Sequence, residues 1–340
     1  LKNNSKKIYT DLDIFYNHHK KNNKITITGT NGKSTTAKIL HDVLRDQKLD
    51  VRLVGNIGNP VLSEKKVTNK TVFVIEASSY QLEYSKLFKS NISLILNISP
   101  DHLERHKTIN KYVSAKFKLV KNQSKKDFAI LNTKNFYIKK ELVSKNFLPK
   151  IIKIEKDIDS FFLKKINNQY FNSDGNKENL KFILKVAKIL NLKKDSLVKT
   201  LNKFKGLKYR QEKIFQSKKL TIINDSKATN FSSSVSLLKS LTNVCWIVGG
   251  QAKKADKLLL SKKDCKNIKA YIFGNNKSFF ISKLKKLMKY ESFLDLKSLV
   301  KKLSLEIKLD KNKIHKTILF SPSAASFDNF KNFEKRGEYF

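Results

Sequence analysis

Short runs of β-branched and aromatic residues recur along the chain, separated by longer stretches in which apolar positions return every three or four residues. KITIT (24–28), VRLV (51–54), TVFVIEA (71–77), ISLILNI (92–98) and FAILN (128–132) predict one series of strands. LTIIND (220–225), VCWIVGG (244–250), KAYIFGN (269–275) and TILFSP (317–322) predict a second. Several runs are almost continuously apolar, as expected of strands covered on both faces. Between the first two, Ala37, Leu40, Val43 and Leu44 share one helical stripe, and NLKFILKVAKIL (179–190) repeats that period. Strand and helix in alternation predict parallel α/β architecture. The segment 133–170 is weakly patterned and predicts no element. A boundary is placed near Gly206, after the helix-like SLVKTLNKFKG, which makes two α/β domains.

Composition changes this picture little. A length of 340 residues favours two domains, and 40% hydrophobic residues suffice for their cores. The formal charge of +42, from 71 Lys and Arg against 29 Asp and Glu, raises the question of a polyanion partner. The excess is nearly all lysine and is spread evenly, so it reads as a solvated surface rather than a nucleic-acid groove. Cys245 and Cys265 form no metal-ligand spacing, and Cys245, inside VCWIVGG, is expected in the core. No apolar run reaches the roughly 18 residues needed to span a bilayer. The chain begins at Leu1 and its single methionine is Met288, so it is expected to be a piece of a longer protein.

Candidate chemistry starts with ITITGTNGKSTTAKIL (25–40). A strand ends at Thr28, Gly29 and Gly32 permit close backbone approach, and a helix is expected from Lys33 or Ser34. Ile27 stands where the common P-loop pattern has glycine. Backbone N–H groups and the helix dipole of such a loop (Gly29, Thr30, Asn31, Gly32) face a phosphate. Lys33 would neutralise phosphate oxygens, and Ser34 or Thr35 could reach magnesium. Glu76 lies at the carboxyl end of an apolar strand, where ligands bind in open α/β sheets. Asp101 and His102 follow another strand end. By spacing alone Lys116 and Lys118 are solvated helix lysines. Asp225 and Lys227 could meet ribose and phosphate, or Asp225, Ser226 and Thr229 could cap a helix. Ser321, Ser323 and Ser326 mark another strand end, and Phe330 and Phe333 sit at helical spacing more typical of core than of a site.

The strings TGTNGKST, GNIGNP (55–60), EASSYQLE, DHLERH, INDSKATN, GGQAKKAD (249–256) and SPSAASFDNFKNFEKRG together resemble the Mur ligases, ATP-dependent amide-forming enzymes of peptidoglycan synthesis. INDSKATN and the last string look most like the branch that adds D-glutamate. The resemblance implies a P-loop-type central parallel-sheet ATPase domain (21–206) followed by a smaller Rossmann-like α/β domain (207–340). Residues 1–20 would be the remnant of a UDP-binding domain with its linker. It implies that Lys33 and its loop hold ATP phosphates, and that Ser34, Glu76 and His102 hold magnesium. Lys116 would be a carbamylated lysine holding a second magnesium ion. Asn176, Asn179, Arg210, Asp225 and Lys227 would contact the nucleotide. Asn56 would contact the UDP-N-acetylmuramoyl-L-alanine substrate, and Thr229, Lys253, Ser326 and Phe333 the D-glutamate. The implied enzyme is a cytoplasmic monomer acting on small molecules, without nucleic acid or stable membrane insertion. The competing expectations are another Mur or folylpolyglutamate-type ligase, although the latter usually reads G-T-N-G-K-G-S, and a basic nucleic-acid-associated P-loop ATPase.

Overall fold

The computed structural model describes residues 9–154, 158–253, 256–310 and 314–340. Residues 1–8 of the expected N-terminal remnant, and Lys254 and Ala255 of GGQAKKAD, lie outside them. The chain divides into two compact units, one made of residues up to Phe171 with Asn176–Phe204, the other of Asn172–Gly175 with Lys205–Phe340.

In the first unit the strands are β1 (Asn23–Thr28), β2 (Val51–Gly55), β3 (Val72–Glu76), β4 (Ile92–Ile95), β5 (Phe128–Leu131) and β6 (Lys150–Lys153). They pair all-parallel in the order β2-β3-β1-β4-β5-β6. The two-residue alternation of a strand explains the double cover. Val74 turns to a core shared with helices Lys33–Asp46 and Asp174–Ile189, while Phe73 and Ile75 turn to the opposite face, against Leu12, Phe15 and Leu82. Helix Ile109–Lys121 covers the β4 and β5 end of that opposite face with Tyr112, Val113, Phe117 and Val120. The helix Asp11–His18 is tied in as well, because the buried Asp13 carboxylate accepts from the Lys86, Leu87 and Phe88 backbone N–H groups and from Ser85 Oγ. Burial opposes ionisation of Asp13, but the Thr10 N–H, with those of Leu87 and Lys86 and the Ser85 hydroxyl, holds its pKa below the usual carboxylate value.

The second unit holds β7 (Glu212–Gln216), β8 (Leu220–Asn224), β9 (Val244–Gly249), β10 (Ile268–Phe273), β11 (Lys289–Ser292) and β12 (Lys316–Phe320). Their order is β11-β10-β9-β12-β8-β7, parallel except for the antiparallel β7. Helices Phe231–Ser240 and Lys277–Leu284 cover one face, and Leu296–Leu309 covers the other. Mixed α/β architecture with two sheets is as expected from the alternating pattern.

The differences lie at the margins. β6, β7 and β11 were not expected, and each is the edge of its sheet. Their sequences KIIK, EKIFQ and KYES are largely exposed, so no continuous apolar run marks them. The weakly patterned segment 133–170 also carries helices Phe136–Ser144 and Ser160–Lys165. Cys245 is only half-buried, and Cys265 is the buried thiol. The helix after β8 is capped by the Asn230 side chain, so Asp225, Ser226 and Thr229 are not its N-cap.

Candidate functional site

β1 hands the chain directly to the glycine loop. Gly29 and Gly32 have φ of 152° and 84°, values open to glycine. A Cβ on Gly32 would stand 2.3 Å from Asn179 Oδ1. The helix Lys33–Asp46 starts without a side-chain cap, the arrangement in which first-turn N–H groups can face a ligand. The loop is braced from the end of β4, where the Thr30 N–H donates to Asn97 O and the Asn31 N–H to Asn97 Oδ1, each at 2.9 Å. Thr30 Oγ1 lies 3.2 Å from Tyr112 Oη and accepts from the Ser99 N–H at 3.0 Å. Sequence reasoning did not single out Asn97, Ser99 or Tyr112; the position of Asn97 just past an apolar strand was the available signal.

Two lysines converge on this loop. Lys33 Nζ donates to the carbonyls of Gly29 and Thr30 at 2.9 and 2.8 Å. Lys116 Nζ donates to the same Gly29 carbonyl at 2.9 Å and lies 4.6 Å from the centre of the Tyr112 ring. Lys116 is 1% exposed, which corrects its spacing-based reading as a solvated lysine. It sits on the stripe with Tyr112, Val113 and Leu119 that packs inward. Burial above all, and then the nearby Lys33 charge, push the Lys116 ammonium well below the ordinary lysine range, against Asp101 and Glu76.

Glu76, at the end of β3, is also buried. Asn56 Nδ2 donates to its Oε1 at 2.8 Å, while Oε2 has no hydrogen-bond partner among the described residues. A buried carboxylate oxygen without a donor is a costly arrangement that a cation would relieve. Ser34 is 2% exposed at the start of the loop helix, beside Thr35. His102 sits in the left-handed region (φ 54°), its Nδ1 2.9 Å from Tyr80 Oη and its Nε2 3.5 Å from Asp101 Oδ2. Among the described residues no three His, Cys, Asp or Glu side chains form a ready-made metal cluster. Magnesium rarely asks for one, since it is usually held by one or two protein oxygens plus substrate phosphates. Ser34, Glu76 and the glycine loop suit that demand. Asn176 and Asn179 lie buried on helix Asp174–Ile189, and Asn176 Nδ2 donates to Tyr170 O at 2.8 Å.

The second unit gathers the remaining candidates around the ends of β8 and β12. Asp225 is buried, accepting from Ser321 Oγ at 2.8 Å and from the Gln211 N–H at 3.1 Å. Burial raises its pKa to about 7, despite those bonds and the Arg210 and Arg336 charges. Ser234 Oγ lies 2.6 Å from both Ser321 Oγ and Ser323 Oγ, and Trp246 Nε1 donates to Ser321 O. Lys227 Nζ stands 4.0 Å from the centre of the Phe333 ring, with the Arg210 guanidinium 5.9 Å from it. Ser326 is buried, and Thr229 and Lys253 are half-buried on loops after β8 and β9. Arg336, which sequence reasoning passed over, is fully buried. Its Nη2 donates to Ser226 O and its Nε to Ser226 Oγ, and Ser226 Oγ donates to Phe333 O at 2.8 Å.

A strand–glycine loop–lysine helix with a buried carboxylate at the neighbouring strand end defines a P-loop-type α/β protein built to handle nucleotide phosphates. The comparisons narrow that class. The family model "Mur ligase middle domain" matches residues 27–193. A UDP-N-acetylmuramoylalanine–D-glutamate ligase of Rickettsia bellii (strain RML369-C) is 35% identical over 98% of this chain and 78% of its own length. That of Francisella philomiragia subsp. philomiragia is 33% identical over 98% and 79%. A MurF ligase from Thermotoga maritima, solved in complex with ADP, shares the fold with a TM-score of 0.65 at 16% identity, covering 98% of this chain and 85% of that one. A D-alanyl-D-alanyl-adding ligase from Acinetobacter baumannii gives a TM-score of 0.67 at 16% identity, over 97% and 78%. The chain belongs to the Mur ligase family, the ATP-dependent, ADP-forming ligases of peptidoglycan synthesis.

Proposed function

We propose that this chain joins D-glutamate to UDP-N-acetylmuramoyl-L-alanine through an acyl phosphate. Support comes chiefly from the convergence of Lys33, Lys116 and the half-satisfied Glu76 around one glycine loop, in a chain 35% identical to a ligase bearing that name. The γ-phosphoryl of ATP passes to the substrate's terminal carboxylate, with ADP leaving, so that a poor electrophile becomes an acyl phosphate. The amine of D-glutamate attacks, and the tetrahedral adduct collapses to amide and phosphate. Lys33 leaves its two loop carbonyls for the β and γ phosphates, and the loop of Gly29, Thr30, Asn31 and Gly32, whose Thr30 and Asn31 N–H groups are already given to Asn97, shapes the cradle for the same oxygens at the helix N-terminus.

Magnesium, when bound, screens the two reacting anions from each other. Ser34, Glu76 and His102 are its proposed ligands, with Lys116 serving a second ion as its carbamate. Carbamate formation consumes a neutral amine and CO2 and releases a proton, and the depressed Lys116 pKa supplies that neutral amine at lower pH than a solvated lysine would. In the second unit Asp225, Arg210 and Lys227 are assigned to the nucleotide together with Asn176 and Asn179, and Thr229, Lys253, Ser326 and Phe333 to D-glutamate. Lys253 suits an amino acid that carries two carboxylates. Asn56, which orients Glu76, is assigned to the muramoyl-alanine substrate as well. The enzyme acts as a cytoplasmic monomer on small molecules, without nucleic acid. Phosphate release tests this: turnover that needs both UDP-N-acetylmuramoyl-L-alanine and D-glutamate, and is abolished in Lys33→Ala, is the expected result. Turnover stimulated by DNA or RNA instead overturns it. Lys116→Ala should lose activity that short carboxylates partly restore, and an unimpaired variant removes the carbamate.

A further inference from the structure

Tyr80 has no part in the chemistry above, yet its hydroxyl and its ring both meet His102. It lies on the helix Ser79–Tyr84 that follows β3 and Glu76, and that helix is capped by Ser78 with Gln81 returning the bond. The Tyr80 ring stacks on His106 at 5.5 Å and 9°. The Arg105 guanidinium lies 5.8 Å from the same ring. His106 is itself buried, with Nε2 3.0 Å from Ser79 Oγ. The ring is thus held from its own helix and from the following one, and its hydroxyl meets His102 Nδ1 at 2.9 Å. Two carboxylates near the imidazole are farther away. Glu104 Oε1, on a largely exposed side chain, is 3.6 Å from Nδ1, and Asp101 Oδ2 is 3.5 Å from Nε2 while Asp101 Oδ1 accepts the His102 backbone N–H.

We propose that Tyr80 is a positioning residue for His102: its hydroxyl oxygen accepts the Nδ1 proton, which fixes the ring and leaves the Nε2 lone pair for a divalent cation. A neutral imidazole has one donor and one acceptor nitrogen, so the bond made by one settles the role of the other. Metal-bound histidines generally give their second N–H to such a partner, and loss of that partner weakens metal affinity by about 10- to 100-fold. The inference rests on His102 being a ligand, as assigned under the proposed function.

The test is Tyr80→Phe, which keeps the ring stacked on His106 and removes only the hydroxyl. Histidine ring nitrogens of the metal-free, 15N-labelled protein are read by NMR, with the His102 signals assigned by their absence in His102→Gln. Mn2+ affinity of the same proteins is read by electron paramagnetic resonance. The expected result is an Nδ1–H tautomer in the native chain, a mixture in Tyr80→Phe, and Mn2+ binding weakened about 10-fold with an unchanged thermal midpoint. A native Nε2–H tautomer, or a Tyr80→Phe variant with native tautomer and Mn2+ affinity, overturns the role of Tyr80. Unchanged Mn2+ binding in His102→Gln overturns the ligand assignment beneath it, which separates the two failures.

Discussion

Asp225→Asn should make the second unit more stable and the enzyme worse, and the stability difference should depend on pH. The native carboxyl titrates near 7 because burial outweighs the donors from Ser321 and Gln211, whereas its unfolded value is 3.8. A raised carboxyl pKa means that the folded chain binds more protons than the unfolded one between those two values. Stability is therefore fully present below the unfolded pKa and is lost as pH rises through the folded pKa. The shift amounts to about 4 kcal/mol at alkaline pH, at about 1.4 kcal/mol per unit. Between pH 5 and pH 8 the native protein should lose roughly 2 to 3 kcal/mol relative to Asp225→Asn. The chain's single tryptophan offers a local probe, because Trp246 lies in β9 of this unit and donates to the carbonyl of Ser321, the residue that holds Asp225. Urea unfolding followed by Trp246 fluorescence across that pH range measures the gap, and a gap that does not change with pH refutes the reasoning. The variant should also bind ATP more weakly, which would mark the buried charge as a functional cost.

Gly32→Ala places a methyl group 2.3 Å from Asn179 Oδ1 at a φ of 84°, so it should raise the KM for ATP and lower the thermal midpoint together; native kinetics would mean that the loop is looser than described. Lys24, 1% exposed at the start of β1, has its ammonium pushed down to about 8 by burial, against the Asp127 charge. Its folded pKa is depressed, so the unfolded chain holds the extra proton between about 8 and 10.5 and the native protein gains stability as pH rises through that window. Lys24→Met should exceed native stability at pH 7, and calorimetry should show the advantage shrinking by about 2 kcal/mol by pH 9.5. A constant advantage would mean that Lys24 stays charged in the folded protein.

What the sequence revealed and what it hid follow from burial. The central strands β1, β3, β4, β9, β10 and β12 are apolar on both faces, so each stands out as a run. The edge strands β6, β7 and β11 present lysines and half-exposed positions to solvent, and their pattern dissolves into that of a loop. The glycine loop was legible because its demands are local: two glycines with special backbone angles, then lysine and serine at a helix start. Lys116 and Arg336 were not, because hydrophobic periodicity counts every lysine and arginine as a surface position. Only tertiary packing places Lys116 beneath Gly29 and Arg336 against Ser226. The bond between Tyr80 and His102 spans 22 residues and joins elements that follow two different strands, so no local pattern encodes it.

The central claim is that the carboxylate of UDP-N-acetylmuramoyl-L-alanine attacks ATP before D-glutamate attacks the activated carbonyl. Turnover with that carboxylate labelled with 18O, followed by mass spectrometry of the released phosphate, tests it most directly. The expected result is one 18O atom transferred to phosphate for each amide formed, with no transfer in Lys33→Ala. Phosphate released without label, its fourth oxygen drawn from water, would contradict it.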